Sequence, residues 1–334
     1  VMGDQSYEGS RVLGTSIAHL LEQEKKEHAK NSAGGEVVKT LIIASSDLSH
    51  YHSYSEADKM DHKMLAALHA WDYLSMSRNF EARIWEACGG APIMAAMIAA
   101  ERLGATDARV LKYANSGDTA GDRSRVVGYS ADIFVRTESA TSILPDFSLS
   151  EEDRRALLVL ARKSVEHAVL RGETFIPAAP QSEALHQERG AFVTLTIAGN
   201  LRGCIGYTSA FKPLYLTVRD TAAFAALRDP RFPPVRKDEL SKLQYEISVL
   251  SPLRHAPNAQ DIRIGQDGLL VRNGDREGLL LPQVPAEHHW DRARFLQETC
   301  YKAGLEPGCW KDESTDIFRF TAVVFSEHEL SSHN

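Results

Sequence analysis

Arg202-Gly203-Cys204-Ile205-Gly206 brings a cation, a thiol and two glycines together within five residues. A cation beside a thiol favours the thiolate, the form needed by a nucleophile or a redox cysteine. On that ground Cys204 should alkylate faster at neutral pH than Cys300 or Cys309. A second group stands earlier: Asp47 and His50 lie three apart, and Cys88 opens the glycine-rich turn Cys88-Gly89-Gly90-Ala91-Pro92. A carboxylate, an imidazole and a thiol from separate elements can hold a transition metal or do acid–base work. Each also has an ordinary reading: Asp47 as a helix N-cap, His50 as a surface histidine, Cys88 as a small buried hydrophobe. The glycines after Cys88 could equally turn backbone N–H groups toward an anion. No Ser-His-Asp arrangement, P-loop or GxGxxG is present.

The elements that position the 202–206 segment read as a hairpin. Phe192–Ile197 and Leu201–Tyr207 are strand-like runs separated by Gly199-Asn200, a pair suited to a tight primed turn. With those two as the turn residues, Ile197 faces Arg202 and Leu195 faces Cys204. Opposed residues share a face, so Arg202 and Cys204 would lie on the apolar side with Val193, Leu195 and Ile197. Glu246, on the alternating run Tyr245–Val249, is then the expected ion-pair partner of Arg202, with Cys204 as either a reactive or a core thiol. Gly203 and Gly206 permit close approach of a ligand or another backbone.

Asp47 and His50 follow the apolar run Val37–Ala44, which suits a strand buried on both faces and delivers them at its carboxyl end. A helix is expected over residues 7–31, with Val12, Leu13, Ile17, Leu20 and Leu21 inward. Further helices are expected over 56–70, 79–87 and 93–103, and strands over 110–114 and 124–135. Residues 137–149 have linker composition, and Ser150 with Asp153 reads as a capping box opening a helix to Leu170. Later come a helix from Pro213 to Arg228 and a hairpin around Asn273-Gly274-Asp275. A helix over 286–303 and one closing strand over 317–325 complete the pattern.

At 334 residues, with 43% hydrophobic and 25% charged content, the chain suits two soluble domains. A net charge of −7 argues against nucleic acid as the main partner. No run approaches a membrane span, and four cysteines without a CxxC pair predict reduced thiols and a cytoplasmic location. A start at Val1, on a strand-like Val1-Met2, is read as a fragment of a longer protein.

Four stretches resemble the Memo family, which shares its fold with class III extradiol (LigB-type) non-haem iron dioxygenases. They are Ser45–Tyr51, Cys88–Ile93, Tyr113–Asp118 and Val126–Tyr129. The resemblance covers residues 1–136 and only the later part of that domain. It implies Cys88 as a metal ligand, with Asp47 and His50 beside the metal, iron or copper in a full-length parent. The family's two metal histidines precede this region, so the resemblance implies that this chain alone binds metal weakly or not at all. Residues 150–334 resemble the AMMECR-type domain, through Leu201–Gly206, Asp229–Pro233, Tyr245–Pro252 and Gly278–Val284. The implied architecture is a truncated Memo-like α/β domain followed by an AMMECR-type α+β domain with a mixed, largely antiparallel sheet. Pairing of the two domains implies the AmmeMemoRadiSam system, with a radical-SAM protein as partner and a small molecule or biomolecule as substrate. Two functions follow: a metal-dependent, dioxygenase-like oxidoreductase with Asp47, His50, Arg202, Cys204 and Glu246 as active residues, or a ligand-binding or scaffold module without turnover.

Overall fold

In the computed structural model, which describes residues 5–31, 40–137, 147–256 and 258–331, helix α1 (Tyr7–Asn31) buries Tyr7 and, beyond it, small residues. Ser10, Gly14 and Ala18 face inward, whereas Val12, Leu13 and Leu20 are exposed. Three residues of the expected apolar stripe therefore face outward, while Ile17 and Leu21 are half-buried. The reason is the neighbour: a Cβ on Gly14 would sit 2.6 Å from the Ala95 carbonyl oxygen, so the contact tolerates only small groups. The run at 37–44 is also corrected. Its described part, residues 40–44, has no strand, and Leu41 and Ile43 are 79% and 78% exposed. No described strand lies beside it to take its N–H and C=O groups, which a strand requires. Residues 1–2 and 37–39 lie outside the described residues.

After β1 (His50–His52) come α2 (Tyr54–His69) and α3 (Tyr73–Glu81). The latter replaces the helix expected over 79–87, because Trp71 takes φ 58° and Asp72 caps the Ser75 N–H. Helix α4 (Gly90–Arg102) is apolar on all sides and buried accordingly. It precedes β2 (Asp107–Asn115), the short α5 (Ser116–Ala120) and β3 (Val126–Val135). The three strands form an antiparallel sheet in the order β1-β3-β2.

The chain divides into two units at Leu144/Pro145. Residues 138–146, most of the expected linker, lie outside the described set. In the second unit Ser150 and Asp153 make the capping box that starts α6 (Glu151–Arg171). It is followed by α7 (Glu183–His186), β4 (Ala191–Ile197), β5 (Asn200–Tyr207), α8 (Leu214–Leu227) and β6 (Leu243–Leu250). Next come β7 (Arg254–His255), β8 (Gly268–Asn273) and β9 (Arg276–Leu280). The expected helix over 286–303 is two helices, α9 (Gln283–Glu287) and α10 (Arg292–Lys302), because His289 takes φ 53° and Asp291 caps anew. The expected closing strand is likewise two, β10 (Asp316–Phe320) and β11 (Ala322–Ser326), which join different sheets before α11 (Glu327–Ser331). The sheets run β11-β6-β4-β5 and β7-β10-β8-β9, all antiparallel, and the architecture is mixed α/β. Leu157, Val165, Val218 and Ala222 of α6 and α8 pack with Val193, Leu195, Ile247 and Val249 into the main core of this unit.

Cys300 and Cys309 are not reduced thiols but a disulfide, closed where Gly304 at φ 69° reverses the chain after α10. Closing a loop of nine residues' separation stabilises by roughly 2–3 kcal/mol, mainly through the unfolded state. Cys309→Ser should lower the unfolding free energy of the second unit by that amount, seen as a lower denaturant midpoint at unchanged slope. Reductant should reproduce the loss in the parent and do nothing further in the variant; equal midpoints would show that the bridge adds no stability.

Candidate functional sites

Each unit carries one of the groups singled out in the sequence. In the first, the 47–50 segment is pinned from two sides. Leu48 N–H donates to Gly128 O (2.9 Å) and Gly128 N–H to Ser49 O (3.0 Å), which ties the segment to β3. The buried Asp61 carboxylate accepts from Ser49 N–H (3.0 Å) and from the Tyr113 hydroxyl (2.8 Å). On the other side Cys88 N–H donates to Asp47 O (3.2 Å) and Asp47 N–H to Cys88 Sγ (3.2 Å). Ser46 Oγ completes the clasp by accepting from Gly89 N–H at 2.8 Å. Position 89 must be glycine for this approach, since a Cβ there would lie 2.6 Å from Ser45 O.

The result is a cluster in which one ligand atom each from Asp47, His50 and Cys88 lies within 4.8 Å of the others. His50 Nε2 stands 3.7 Å from Asp47 Oδ2. A cavity of about 270 Å³, lined by Gln5, Phe80, Trp85 and Glu86, opens at His50 and Cys88. Glu86 accepts from His50 N–H at 3.2 Å and stands 3.1 Å from His52 Nε2. Burial works to raise its pKa, but the His50 N–H bond and the two imidazoles outweigh it and hold Glu86 below the usual carboxylate range. Gln5 Oε1 accepts from Ala91 N–H (2.7 Å) and so fixes the start of α4. Glu86 and Gln5 were missed in the sequence; proximity to Cys88 marks the first, and nothing local marks the second. His62 and His69 are not in the cluster, and His52 meets Glu86 instead.

In the second unit the hairpin register differs from expectation. Ala198 (φ 49°) and Gly199 (φ 79°) are the turn residues, so Ile197 pairs with Asn200 and Thr196 with Leu201. A bulge then leaves Arg202 unpaired, and Leu195 pairs with Gly203 and Thr194 with Cys204. A one-residue shift moves every side chain to the other face. Gly203 is therefore on the helix-covered side, where a Cβ would come within 2.1 Å of Ala225 O in α8. Gly206 instead makes room for the Phe192 ring. Cys204 lies on the opposite, more polar face, with Thr194 Oγ1 donating to its sulfur at 3.3 Å.

Arg202 does not pair with Glu246. Its guanidinium forks onto Glu239 (2.9 and 3.0 Å) and also donates to Pro233 O (2.9 Å) and Pro234 O (3.3 Å). That fork, with Arg236 N–H, holds Glu239 down at about 2. At the open edge of β5, Asp229 Oδ2 accepts from Cys204 N–H (2.8 Å) and Arg231 donates to Cys204 O (3.2 Å). Asp229 and Arg231 are themselves paired at 2.7 Å, which holds Asp229 down at about 2. The Asp229-Pro230-Arg231 stretch thus seals a strand edge that would otherwise be free to pair. Arg202 is too occupied to act on Cys204: burial pushes the Cys204 thiol up, and the Thr194 bond and Arg231 offset this only in part. Burial also raises Glu246, with Glu287 and Glu329 acting in the same direction.

No described helix is long and apolar enough to cross a membrane. Against known proteins, a family model described as AMMECR1 matches residues 158–325, and one described as Memo-like protein matches residues 2–133. A protein of Thermococcus onnurineus is 42% identical over 191 residues, 54% of this chain and 93% of its own length. One from Methanothermobacter thermautotrophicus is 43% identical over 185 residues, 54% of this chain and 96% of its own. The crystal structure of an uncharacterised protein of Pyrococcus horikoshii, 41% identical, covers 52% of this chain and 90% of its own, with a TM-score of 0.50.

Proposed function

From a chain that belongs to the AMMECR1 family and carries a Memo-like domain ahead of that module, we propose a metal-dependent oxidoreductase of dioxygenase-like type, its centre at Asp47, His50 and Cys88. The observation that supports this is the meeting of an oxygen, a nitrogen and a sulfur donor within 4.8 Å at the mouth of a cavity. Such a mixed set suits a first-row transition ion such as iron or copper, and not calcium or magnesium, which take oxygen ligands. A bound ion would supply Lewis-acid and redox chemistry. The chain's own groups do the rest. Asp47 N–H donates to the Cys88 sulfur and orients it, Glu86 holds the His50 backbone, and Phe80 and Trp85 give a substrate an apolar wall. With Cys88 as the single ligand, weak or no binding is expected of this chain; two more donors beside the thiol are the reason to propose binding. Pairing with an AMMECR1 module supports a place in the AmmeMemoRadiSam system, beside a radical-SAM partner.

The AMMECR1 part favours binding over turnover, because Arg202 is engaged by Glu239 and two backbone carbonyls and burial pushes the Cys204 thiol up. Cobalt(II) titration of the chain tests the metal reading. One equivalent should bind, with a sulfur-to-metal charge-transfer band that is absent in Cys88→Ser. Asp47→Asn and His50→Ala should weaken binding by at least about 10–100-fold, the loss typical even of groups that only support a ligand. A band or stoichiometry unchanged in Cys88→Ser would overturn it.

A further inference from the structure

Glu246 stands on the face of β6 opposite Tyr245, Ile247 and Val249, in a row that runs Cys204, Thr194, Glu246, Ser326 across four strands. The second unit shows how a structural carboxylate is held in this fold. Asp229 and Glu239 are each forked by an arginine and accept a backbone N–H as well. Glu246 has neither. Among the described residues its carboxylate accepts from Gln283 Nε2 at 3.5 Å and pairs with no cation. The charged groups acting on it, Glu287 of α9 and Glu329 of α11, are both carboxylates. Two further polar atoms are buried without a partner: Ser248 Oγ, two residues along the same face with the residue 1% exposed, and Gln283 Oε1. Buried polar atoms are normally satisfied, so an acidic site whose neighbouring polar atoms lack partners calls for an outside donor.

We propose that this face binds an organic cation with N–H donors, a primary ammonium or a guanidinium, held by Glu246 with Ser248 and Gln283 beside the Cys204 thiol. An ammonium supplies three donors and a positive charge, matching the Glu246 carboxylate, where Glu287 and Glu329 act, rather than the Cys204 end of the row, where Arg231 and Lys302 act. Glu246, Thr194, Cys204 and Phe192 are each partly open to solvent, so a ligand can reach the row. The proposal rests on reading the AMMECR1 part as a binding module and stands apart from the metal centre.

The test is isothermal titration of the full chain with n-butylammonium, with butyrate and butanol as matched controls. Saturable binding of the ammonium alone is expected. Glu246→Gln should weaken it about tenfold or more, the loss of one charge-assisted bond, and Ser248→Ala should weaken it less. Asp47→Asn should leave it unchanged, so failure here and failure of the metal reading are distinguishable. Without probe, Glu246→Gln should melt no lower than the parent, because it removes a half-buried charge that faces two other carboxylates and pairs with no described cation; a lower melting temperature would make Glu246 structural and overturn the proposal. No saturable binding, equal binding of butyrate, or full binding by Glu246→Gln would overturn it as well.

Discussion

Gly203→Ala is expected to lower the melting temperature of the second unit by roughly 6–12 °C, corresponding to about 3 kcal/mol of overpacking in a unit of this size. The cause is the nature of the neighbour. An added Cβ would lie 2.1 Å from Ala225 O and 3.0 Å from its carbonyl carbon, both helix backbone of α8. Backbone in a helix that carries Val218 and Ala222 into the core cannot yield without loosening the whole α8–sheet contact. Gly206→Ala is the control. There a Cβ would meet the Phe192 ring at 2.2 Å, but a side chain that is partly exposed can turn aside. Calorimetric melts of both variants against the parent decide the matter. A Gly203 variant that melts with the parent, or a Gly206 variant that suffers more, would place the close contact on the wrong glycine.

Asp229→Ala should cost about 2–3 kcal/mol near neutral pH. Breaking a buried ion pair usually costs about 3–5 kcal/mol. That is reduced here because the Arg231 side chain is 45% exposed and water can replace the carboxylate, whereas Asp229 is 2% exposed. The Cys204 N–H at the β5 edge loses its acceptor, which water reaches less easily. Asp229→Asn keeps an acceptor and should lose less. The pH dependence has a definite sign. Asp229 is held down at about 2 in the folded chain, so its contribution is present above the unfolded carboxylate value of 3.8 and disappears as pH falls toward 2. Glu239, held down by Arg202 from 4.5 to about 2, loses its contribution over the same acid range. The gap between parent and Asp229→Asn in urea unfolding should therefore close between about pH 4 and pH 2. A gap that persists unchanged into acid would show that the pairing with Arg231 is not what Asp229 contributes.

Much of the helical fold was legible because its signals are local. Ser150 and Asp153 announce α6, Pro213 precedes α8, and the apolar run after Gly90 is long enough to be a buried helix. What misled were signals whose meaning depends on a neighbour. Leu41 and Ile43 look like a buried strand, yet no described strand pairs with them. Val12 and Leu13 look like the inward stripe of α1, but the contact at Gly14 is too close for large side chains. The Cys300–Cys309 bridge depends on a chain reversal that spacing does not reveal.

For the two sites the division is sharper. The amino-acid sequence by itself singled out the candidates: Asp47, His50 and Cys88 in one group, Arg202, Cys204 and Glu246 in the other, and an AMMECR-type module around the second. Only the tertiary structure decided which of them meet. It gathered the first three around a cavity through contacts between residues 41 apart, such as Asp47 with Cys88. It parted the second three, giving Arg202 to Glu239 and leaving Glu246 across from Thr194. The physical reason lies in one turn. Alternation in a strand says that residues two apart share a face but not which face meets the helices. A left-handed alanine at 198 and a bulge at Arg202, neither marked by residue type, made that choice for Cys204.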